Sequence, residues 1–207
     1  FTEVISRLND IQNTQANSTY LSFDNLPTAL FINNLSDQND WAETCINNAI
    51  TQKLNTLLLK VDNIFNTQLP EVKAIENLDS NNHLDHFCQQ NQVLIEKIKK
   101  SHYIVINGSG LLGSTEVYAY NLLTIIDIAK TIYNKAVFLI NLSICTNLHQ
   151  QEPIDDKVYQ KLFTRLDGVT TQDSISRTFL NQIQVTHDTC FNCLPLFLEK
   201  NYSIPTK

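Results

Sequence analysis

A glycine-rich turn near the middle of the chain carries the residues best suited to bind a ligand. It reads Asn107-Gly108-Ser109-Gly110 and continues to Gly113, so the pattern G-x-G-x-x-G is formally present. Three of the four glycines of the chain lie in this turn. Small residues let backbone N–H groups approach an anion, and a helix N-terminus after the turn would add a partial positive charge. The turn is therefore open to three interpretations: a dinucleotide site, another anion or sugar site, or a tight connection without a ligand.

The spacing after the turn favours the second interpretation over the first. A dinucleotide site needs an acidic residue about 20 residues further on, at the tip of the next strand. Asp127 lies near that distance but inside a predicted helix, and the next predicted strand runs towards Asn141. We therefore predict no NAD site and no cofactor.

Polar residues also follow the other predicted strands. Amides and hydroxyls gathered at one rim suit the recognition of sugar hydroxyls and anions better than redox chemistry. Asp37, Asp173 and His187 are the candidate acid–base groups, although Asp173 could instead cap a helix and His187 could be a bystander. The predicted substrate-binding residues are Asn33, Asn34, Ser36, Gln38, Asn39, Asn107, Gly108, Ser109, Gly110, Ser143 and Gln172. We predict no metal site, because the C-x-x-C of Cys190 and Cys193 lacks two further ligands nearby.

Short apolar runs alternate with segments of helical spacing along most of the chain. This alternation predicts an α/β fold with a doubly wound, mostly parallel Rossmann-like sheet and helices on both faces. Ligands bind beyond the carboxyl ends of the strands in such sheets. The predicted strands are 28–33, 56–61, 103–106, 136–140, 168–173 and 184–187. The predicted helices are 41–54, 84–100, 117–133, 155–166 and 174–183, with an irregular excursion over 62–82.

Length and composition limit the class of protein. The 207 residues suffice for one good core. We expect an N-terminal helix and linker over 1–27, the α/β domain over 28–194, and a tail or linker over 195–207. The net charge of −6, evenly spread, argues against nucleic acid. No apolar run approaches the roughly 20 residues of a membrane span. Five scattered cysteines and a polar N-terminal segment predict a cytoplasmic protein. A start at Phe1 without any methionine suggests a processed or partial chain.

Five segments resemble a known family in type and in order. They are NNLSDQNDWA at 33–42, NGSG at 107–110, NLSI at 141–144, DGVTTQDSISRTFL at 167–180 and VTHDTCF at 185–191. Together they resemble the strand-end motifs of the polysaccharide pyruvyl transferase family. Three positions depart from the family pattern: Ala42 stands for glycine, Ser109 for a frequent glutamate, and Gln172 for arginine.

The resemblance implies one half of a glycosyltransferase-B-like architecture, with the site in the cleft between two Rossmann-like halves. Family members transfer a pyruvate ketal from phosphoenolpyruvate to a sugar of a cell-surface glycan, and this chain resembles their N-terminal, acceptor-side half. The implied partners are a saccharide or lipid-linked glycan acceptor, phosphoenolpyruvate, and a second domain or further copies of the chain. Glutamine cannot supply the charge of the family arginine, so we expect little activity from this chain alone.

Two other functions fit the same residues. The chain could be a non-catalytic carbohydrate-binding or scaffold domain that keeps the fold. It could also belong to a glycosyltransferase that uses a nucleotide-sugar donor.

Overall fold

The core of the protein is a six-stranded sheet in which every neighbouring pair of strands is parallel. The computed structural model describes residues 26–35, 41–57, 59–69, 81–111, 117–144 and 154–189. The strand order is β2-β1-β3-β4-β5-β6. The strands are β1 Thr28–Asn34, β2 Lys60–Phe65, β3 Tyr103–Asn107, β4 Ala136–Leu142, β5 Gly168–Thr171 and β6 Asp188–Thr189. The predicted doubly wound α/β fold is confirmed.

Helices connect the strands. They are α1 Trp41–Thr56, α2 Asn81–Gln90, α3 Gln92–Lys100, α4 Val117–Asp127, α5 Asp156–Phe163 and α6 Ser174–Gln182. A 3₁₀ turn, Asn66–Gln68, follows β2, and α4 continues into a π-helical segment, Ile128–Ile132.

The two faces of the sheet bury two separate apolar clusters, because successive side chains of a strand point to opposite faces. On one face, alternate strand residues such as Ile104 and Leu139 pack with residues of α2 to α6. On the other face, Val105 and Phe138 belong to a cluster to which α1 contributes Ile50. Helices therefore cover both faces, as the alternating pattern predicts.

The predicted strand over 56–61 is wrong in its position, because β2 is Lys60–Phe65. Helix α1 runs to Thr56, and the Leu57 N–H then bonds the Leu54 carbonyl at 3.1 Å. Leu57 and Leu59 are buried in the cluster under α1, so the apolar run that suggested a strand is a buried turn. An apolar run does not by itself distinguish these two structures.

The predicted strand over 184–187 is also wrong. Gln184 has a φ of 58°, and the Val185 N–H bonds the Leu180 carbonyl at 2.9 Å. Helices commonly end at a residue with a left-handed backbone, after which a backbone N–H donates to a carbonyl of the last helical turn. These residues therefore terminate α6, and His187 precedes β6 instead of ending a strand.

The single helix predicted over 84–100 is two helices that meet at Asn91. The side chain of Asn91 donates to the Phe87 carbonyl at 2.9 Å, and its backbone leaves the helical region at φ −119°, ψ 41°. Asparagine side chains compete with the backbone in this way and disfavour helix interiors.

Within the described ranges, no helix combines the length and apolarity needed to cross a bilayer.

Tyr103 offers a test of the packing at the start of β3. Its side chain is 3% exposed, and its hydroxyl has no hydrogen-bond partner among the described residues. We expect Tyr103→Phe to raise the free energy of unfolding by about 1 kcal/mol, since it removes a buried, unsatisfied hydroxyl. Urea unfolding measures this. Tyr159→Phe is the control and should destabilise, because the Tyr159 hydroxyl donates to the Leu111 carbonyl.

Burial raises the pKa of Tyr103 above its ordinary value. The unfolded chain therefore loses this proton first, and the native state loses stability as pH rises above about 10. The difference in stability between wild type and Tyr103→Phe should widen at alkaline pH. A constant or shrinking difference would contradict this assignment.

Candidate functional site

The carboxyl ends of β1 and β3 form the point where the winding of the sheet reverses. From β1 the chain passes to β2 on one side, and from β2 it crosses back to β3 on the other. Ligands of open α/β sheets bind in the crevice at such a switch point. Asn33 and Asn34 are the last residues of β1 and Asn107 is the last of β3, so the sequence-predicted polar turns flank this crevice.

Four buried asparagines, which we call the asparagine cluster, join the strand ends. Asn107 is the centre: its carbonyl accepts from Asn33 Nδ2 at 2.8 Å, and its Oδ1 accepts from Asn141 Nδ2 at 3.1 Å. Its own Nδ2 donates to Asn47 Oδ1 of α1 at 3.2 Å. All four residues are at most 1% exposed. The cluster therefore fixes the relative positions of β1, β3, β4 and α1 from beneath the rim.

Two members of the cluster have left-handed backbones. Asn33 has a φ of 61° and Asn141 a φ of 58°, and the ladder shifts register at each of these two positions. Asparagine tolerates this region better than other non-glycine residues. Outliers of this kind concentrate at functional sites, where the surrounding structure holds them. Both strands thus bend where they reach the crevice.

Asn34 lies outside the cluster. Its Nδ2 donates to Asn63 Oδ1 of β2 at 3.0 Å, and its side chain is buried. This bond ties the end of β1 to the edge strand β2.

The described part of the glycine-rich turn, residues 108–111, uses all four of its backbone N–H groups within the protein. Gly110 donates to Ser143 Oγ at 2.6 Å and Ser109 to Asn107 Oδ1 at 3.1 Å; the other two bond backbone carbonyls. A phosphate cradle uses such N–H groups for the ligand. This geometry favours a site for hydroxyls over a site for a phosphate.

A side chain at position 108 would be crowded because another strand end lies against it. A Cβ there would stand 3.1 Å from the Leu142 Cα and 3.0 Å from the Leu139 Cδ1. The close approach joins the β3 turn to the end of β4.

Glu43 is a site residue that the sequence analysis missed. It lies in the first turn of α1, it is half-buried, and its Oε1 accepts from Ser109 Oγ at 2.9 Å. One turn later Asn47 donates to the Glu43 carbonyl at 2.7 Å and joins the asparagine cluster. The available signal was the spacing of Glu43 and Asn47, which places two polar residues on one helix face.

Residues at the end of β5 complete the rim. Gln172 is half-buried and its N–H donates to the Leu142 carbonyl at 2.8 Å. Asp173 caps α6: Oδ1 accepts from the Ser176 N–H at 2.7 Å and Oδ2 from Ser176 Oγ at 2.8 Å. Both carboxylate oxygens of Asp173 are thus engaged in the cap, which favours the capping alternative for this residue.

We expect Asp173→Ala to lower the free energy of unfolding by about 1 kcal/mol, since it removes an N-cap. Asp173→Asn should retain most of the stability, because asparagine caps as well as aspartate. Ser174→Ala, at an exposed neighbour, is the control and should change little. Urea denaturation of the three variants measures the effect. An Asp173→Asn variant that stays stable but loses ligand binding or activity would restore a chemical role for Asp173.

The structure separates two other candidate residues from the crevice. His187 precedes β6, and its Nδ1 lies 2.9 Å from the Val185 carbonyl. Its predicted place at the carboxyl end of a strand is wrong for the reason given above. Asp127 lies near the far end of α4 and bonds Thr131 Oγ1 at 2.7 Å, so it cannot serve a dinucleotide at this edge. Asp37, Ser36, Gln38 and Asn39 lie outside the described residues.

Two buried polar atoms at the rim have no hydrogen-bond partner within the described part of the chain. They are Asn141 Oδ1 and Thr171 Oγ1, at the ends of the neighbouring strands β4 and β5. A buried group of this kind needs a partner, and a ligand hydroxyl or an ordered water would satisfy it.

The segments that follow β1, β3 and β4 in the sequence lack the residue types that bind a phosphate most tightly. Residues 33–40, 107–116 and 141–153 contain neither lysine nor arginine. In the described ranges, no group of three or more His, Cys, Asp or Glu residues is placed to hold a metal ion. Among the described residues at the crevice, hydroxyls, amides and the carboxylates of Glu43 and Asp173 are the groups available for chemistry.

The fold and the site define an α/β protein with a doubly wound parallel sheet and a polar, hydroxyl-lined crevice at its switch point. Comparison with family models, with curated proteins and with solved structures found no match to this chain.

Proposed function

We propose that this chain is the N-terminal, acceptor-binding domain of a polysaccharide pyruvyl transferase-like enzyme. One observation supports the proposal best: three of the family-like segments end β1, β3 and β4, and Asn107 ties them together through the asparagine cluster. Ser109, Gly110 and Ser143, the half-buried residues after β3 and β4, offer neutral hydrogen-bonding groups, which suit a sugar.

The half-buried residues of the rim are the groups that a sugar would contact. We assign acceptor binding to Ser109, Gly110, Ser143 and Gln172, all of intermediate exposure. Asn33 and Asn107 support them from below, because both are almost fully buried. Side chains that are held by buried neighbours keep their geometry, which lowers the entropic cost of binding.

Glu43 is the acid–base group that we propose for the reaction. Its Oε1 already accepts a hydrogen bond from the Ser109 hydroxyl. A sugar hydroxyl bound beside Ser109 could donate a hydrogen bond to the same carboxylate. In the overall transfer, two sugar hydroxyls form two C–O bonds to C2 of phosphoenolpyruvate. One of the two hydroxyl protons goes to the methylene carbon, which becomes a methyl group. The bond from C2 to the phosphate oxygen breaks, and phosphate leaves with the second hydroxyl proton.

The donor would be held elsewhere. Phosphoenolpyruvate carries phosphate and carboxylate charges that Arg or Lys normally pairs. Gln172 stands at the position of the family arginine, and residues 33–40, 107–116 and 141–153 contain neither lysine nor arginine. We infer that a second domain or another copy of the chain supplies the cations, and that the enzyme works in the cytoplasm.

The test is transfer of labelled pyruvate from phosphoenolpyruvate to a β-linked hexose by the full-length gene product. The expected result is a labelled glycan with a pyruvate ketal and release of inorganic phosphate in equal amounts. A folded full-length protein that transfers nothing to any hexose acceptor would remove the enzyme proposal.

A non-catalytic carbohydrate-binding domain is the second candidate. The observation that favours it is the loss of charge at the site: Asp173 is engaged in its cap and Gln172 replaces an arginine. The phosphoenolpyruvate affinities of the wild-type protein and of Gln172→Arg, measured by calorimetry, distinguish the transferase from the non-catalytic domain. An increase in affinity confined to the variant indicates a degenerate site, whereas measurable affinity in both proteins favours the transferase.

A further inference from the structure

A second concave site lies beside the edge strand β2, and its lining shares no residue with the crevice. Its volume is about 610 Å³, within the range of small-molecule sites. We call it the amide groove, because five of its lining residues carry side-chain amides. These are Gln68, Gln89, Gln90, Asn91 and Gln92.

The break between α2 and α3 builds one wall of the groove. The helices meet at Asn91, whose side chain donates back to the Phe87 carbonyl, so the last glutamines of α2 and the first of α3 gather around the bend. The opposite wall is the turn after β2, where Gln68 Oε1 accepts from the Phe65 N–H at 3.1 Å. Both walls are fixed by local hydrogen bonds.

The groove is close to neutral. Its lysine, Lys97, binds Asp62 Oδ1 at 2.9 Å and contacts the Asn63 carbonyl at 3.4 Å. The positive charge of Lys97, which could attract an anion, is therefore compensated by Asp62 at one side of the groove. What remains is a set of exposed glutamines, each able to donate and to accept a hydrogen bond.

The groove also has apolar surface. Ile64 and Leu94 are buried beneath it, and Val93 is 76% exposed at its margin. Amides beside aliphatic surface match a saccharide, which presents hydroxyls at its edges and C–H groups on its ring faces. An extended peptide would use the same amides, but it would not need the combination of neutral walls and aliphatic floor within one concave site.

We propose that the amide groove is a saccharide-binding site separate from the strand-end crevice. Ile64 packs in the apolar cluster on the sheet face that α2 and α3 cover. Its neighbour Asn63 accepts a hydrogen bond from the Asn34 side-chain amide at the end of β1. The groove goes beyond the proposed function, because it can bind a glycan whether or not the chain takes part in transfer.

The experiment is a titration of the ¹⁵N-labelled chain with maltotriose, cellotriose and N-acetylchitotriose, read from side-chain amide and backbone resonances. At least one trisaccharide should shift the side-chain amides of Gln89, Gln90 and Gln92. The double variant Gln89→Ala/Gln92→Ala should bind it at least tenfold more weakly. Gln182→Ala, at an exposed glutamine of α6, is the matched control and should bind as wild type.

Three outcomes would overturn the proposal. One is a well-dispersed spectrum that no trisaccharide changes. Another is a set of shifts confined to Ser109, Ser143 and their neighbours, which would support the crevice and refute the groove. The third is a response of the groove glutamines to an unstructured peptide but not to any saccharide.

Discussion

Replacing Asn107 with alanine should lower the free energy of unfolding by about 3 kcal/mol or more, because it removes the centre of a buried hydrogen-bond network. The Asn107 side chain accepts from Asn141 Nδ2 and from the Ser109 N–H, and it donates to Asn47 Oδ1. Alanine leaves these groups without a partner at a place that is closed to bulk water. Each unsatisfied buried group costs about 1–3 kcal/mol.

Asn34→Ala is the matched control for this variant. It removes one asparagine at the same edge of the sheet, but the Asn34 amide donates to the part-buried Asn63 of the edge strand and not to the centre of the asparagine cluster. We expect a loss of about 1 kcal/mol, the usual net value of one hydrogen bond. Urea or thermal unfolding of both variants measures the difference. Equal, small losses would show that water enters the cluster and that it does not hold the strand ends together.

The central strands could be predicted from sequence because they are buried on both faces. Residues of β3 and β4 form continuous apolar runs, and such runs bounded by turn residues indicate an inner strand. The edge strands could not be found in this way. Strand β2 contains Asp62 and Asn63, and the two-residue β6 follows a helix end that resembled a strand.

The polar residues at the strand ends could be predicted by type, but their roles could not. Asparagine after a buried strand suggested ligand contacts, whereas burial makes Asn33 and Asn107 a support beneath the site. The N–H groups of the glycine-rich turn are used by partners such as Ser143, which lies 33 residues away in sequence from Gly110. Such pairings depend on the crossover geometry and are not encoded in local spacing.

Glu43 illustrates the same limit. The carboxylate is 66 residues from Ser109 in sequence, and only the packing of α1 on the sheet brings the two together. Sequence reasoning instead selected Asp173 and His187, which lie beside predicted strand ends. Asp173 serves its own helix, and His187 lies before a strand because Gln184 adopts a left-handed backbone.

Glu43→Gln should reduce pyruvyl transfer by the full-length gene product by about 10²–10⁴-fold, the usual contribution of a general base. Glutamine keeps the size of the side chain and an oxygen that accepts from Ser109, but it cannot take a proton from a sugar hydroxyl. The free energy of unfolding should fall by less than about 1 kcal/mol, the cost of losing one acidic residue from a first helical turn. Hexose binding should persist, so that kcat falls and KM changes little.

Glu96→Gln provides the control for this variant. The Glu96 side chain is exposed on the outer side of α3 and pairs with Lys99, so its loss should leave transfer unchanged. If both variants transfer pyruvate at the wild-type rate, a residue other than Glu43 is the general base. If Glu43→Gln loses hexose binding together with transfer, the carboxylate is a binding group, because a group that acts only in the chemical step leaves ground-state affinity intact.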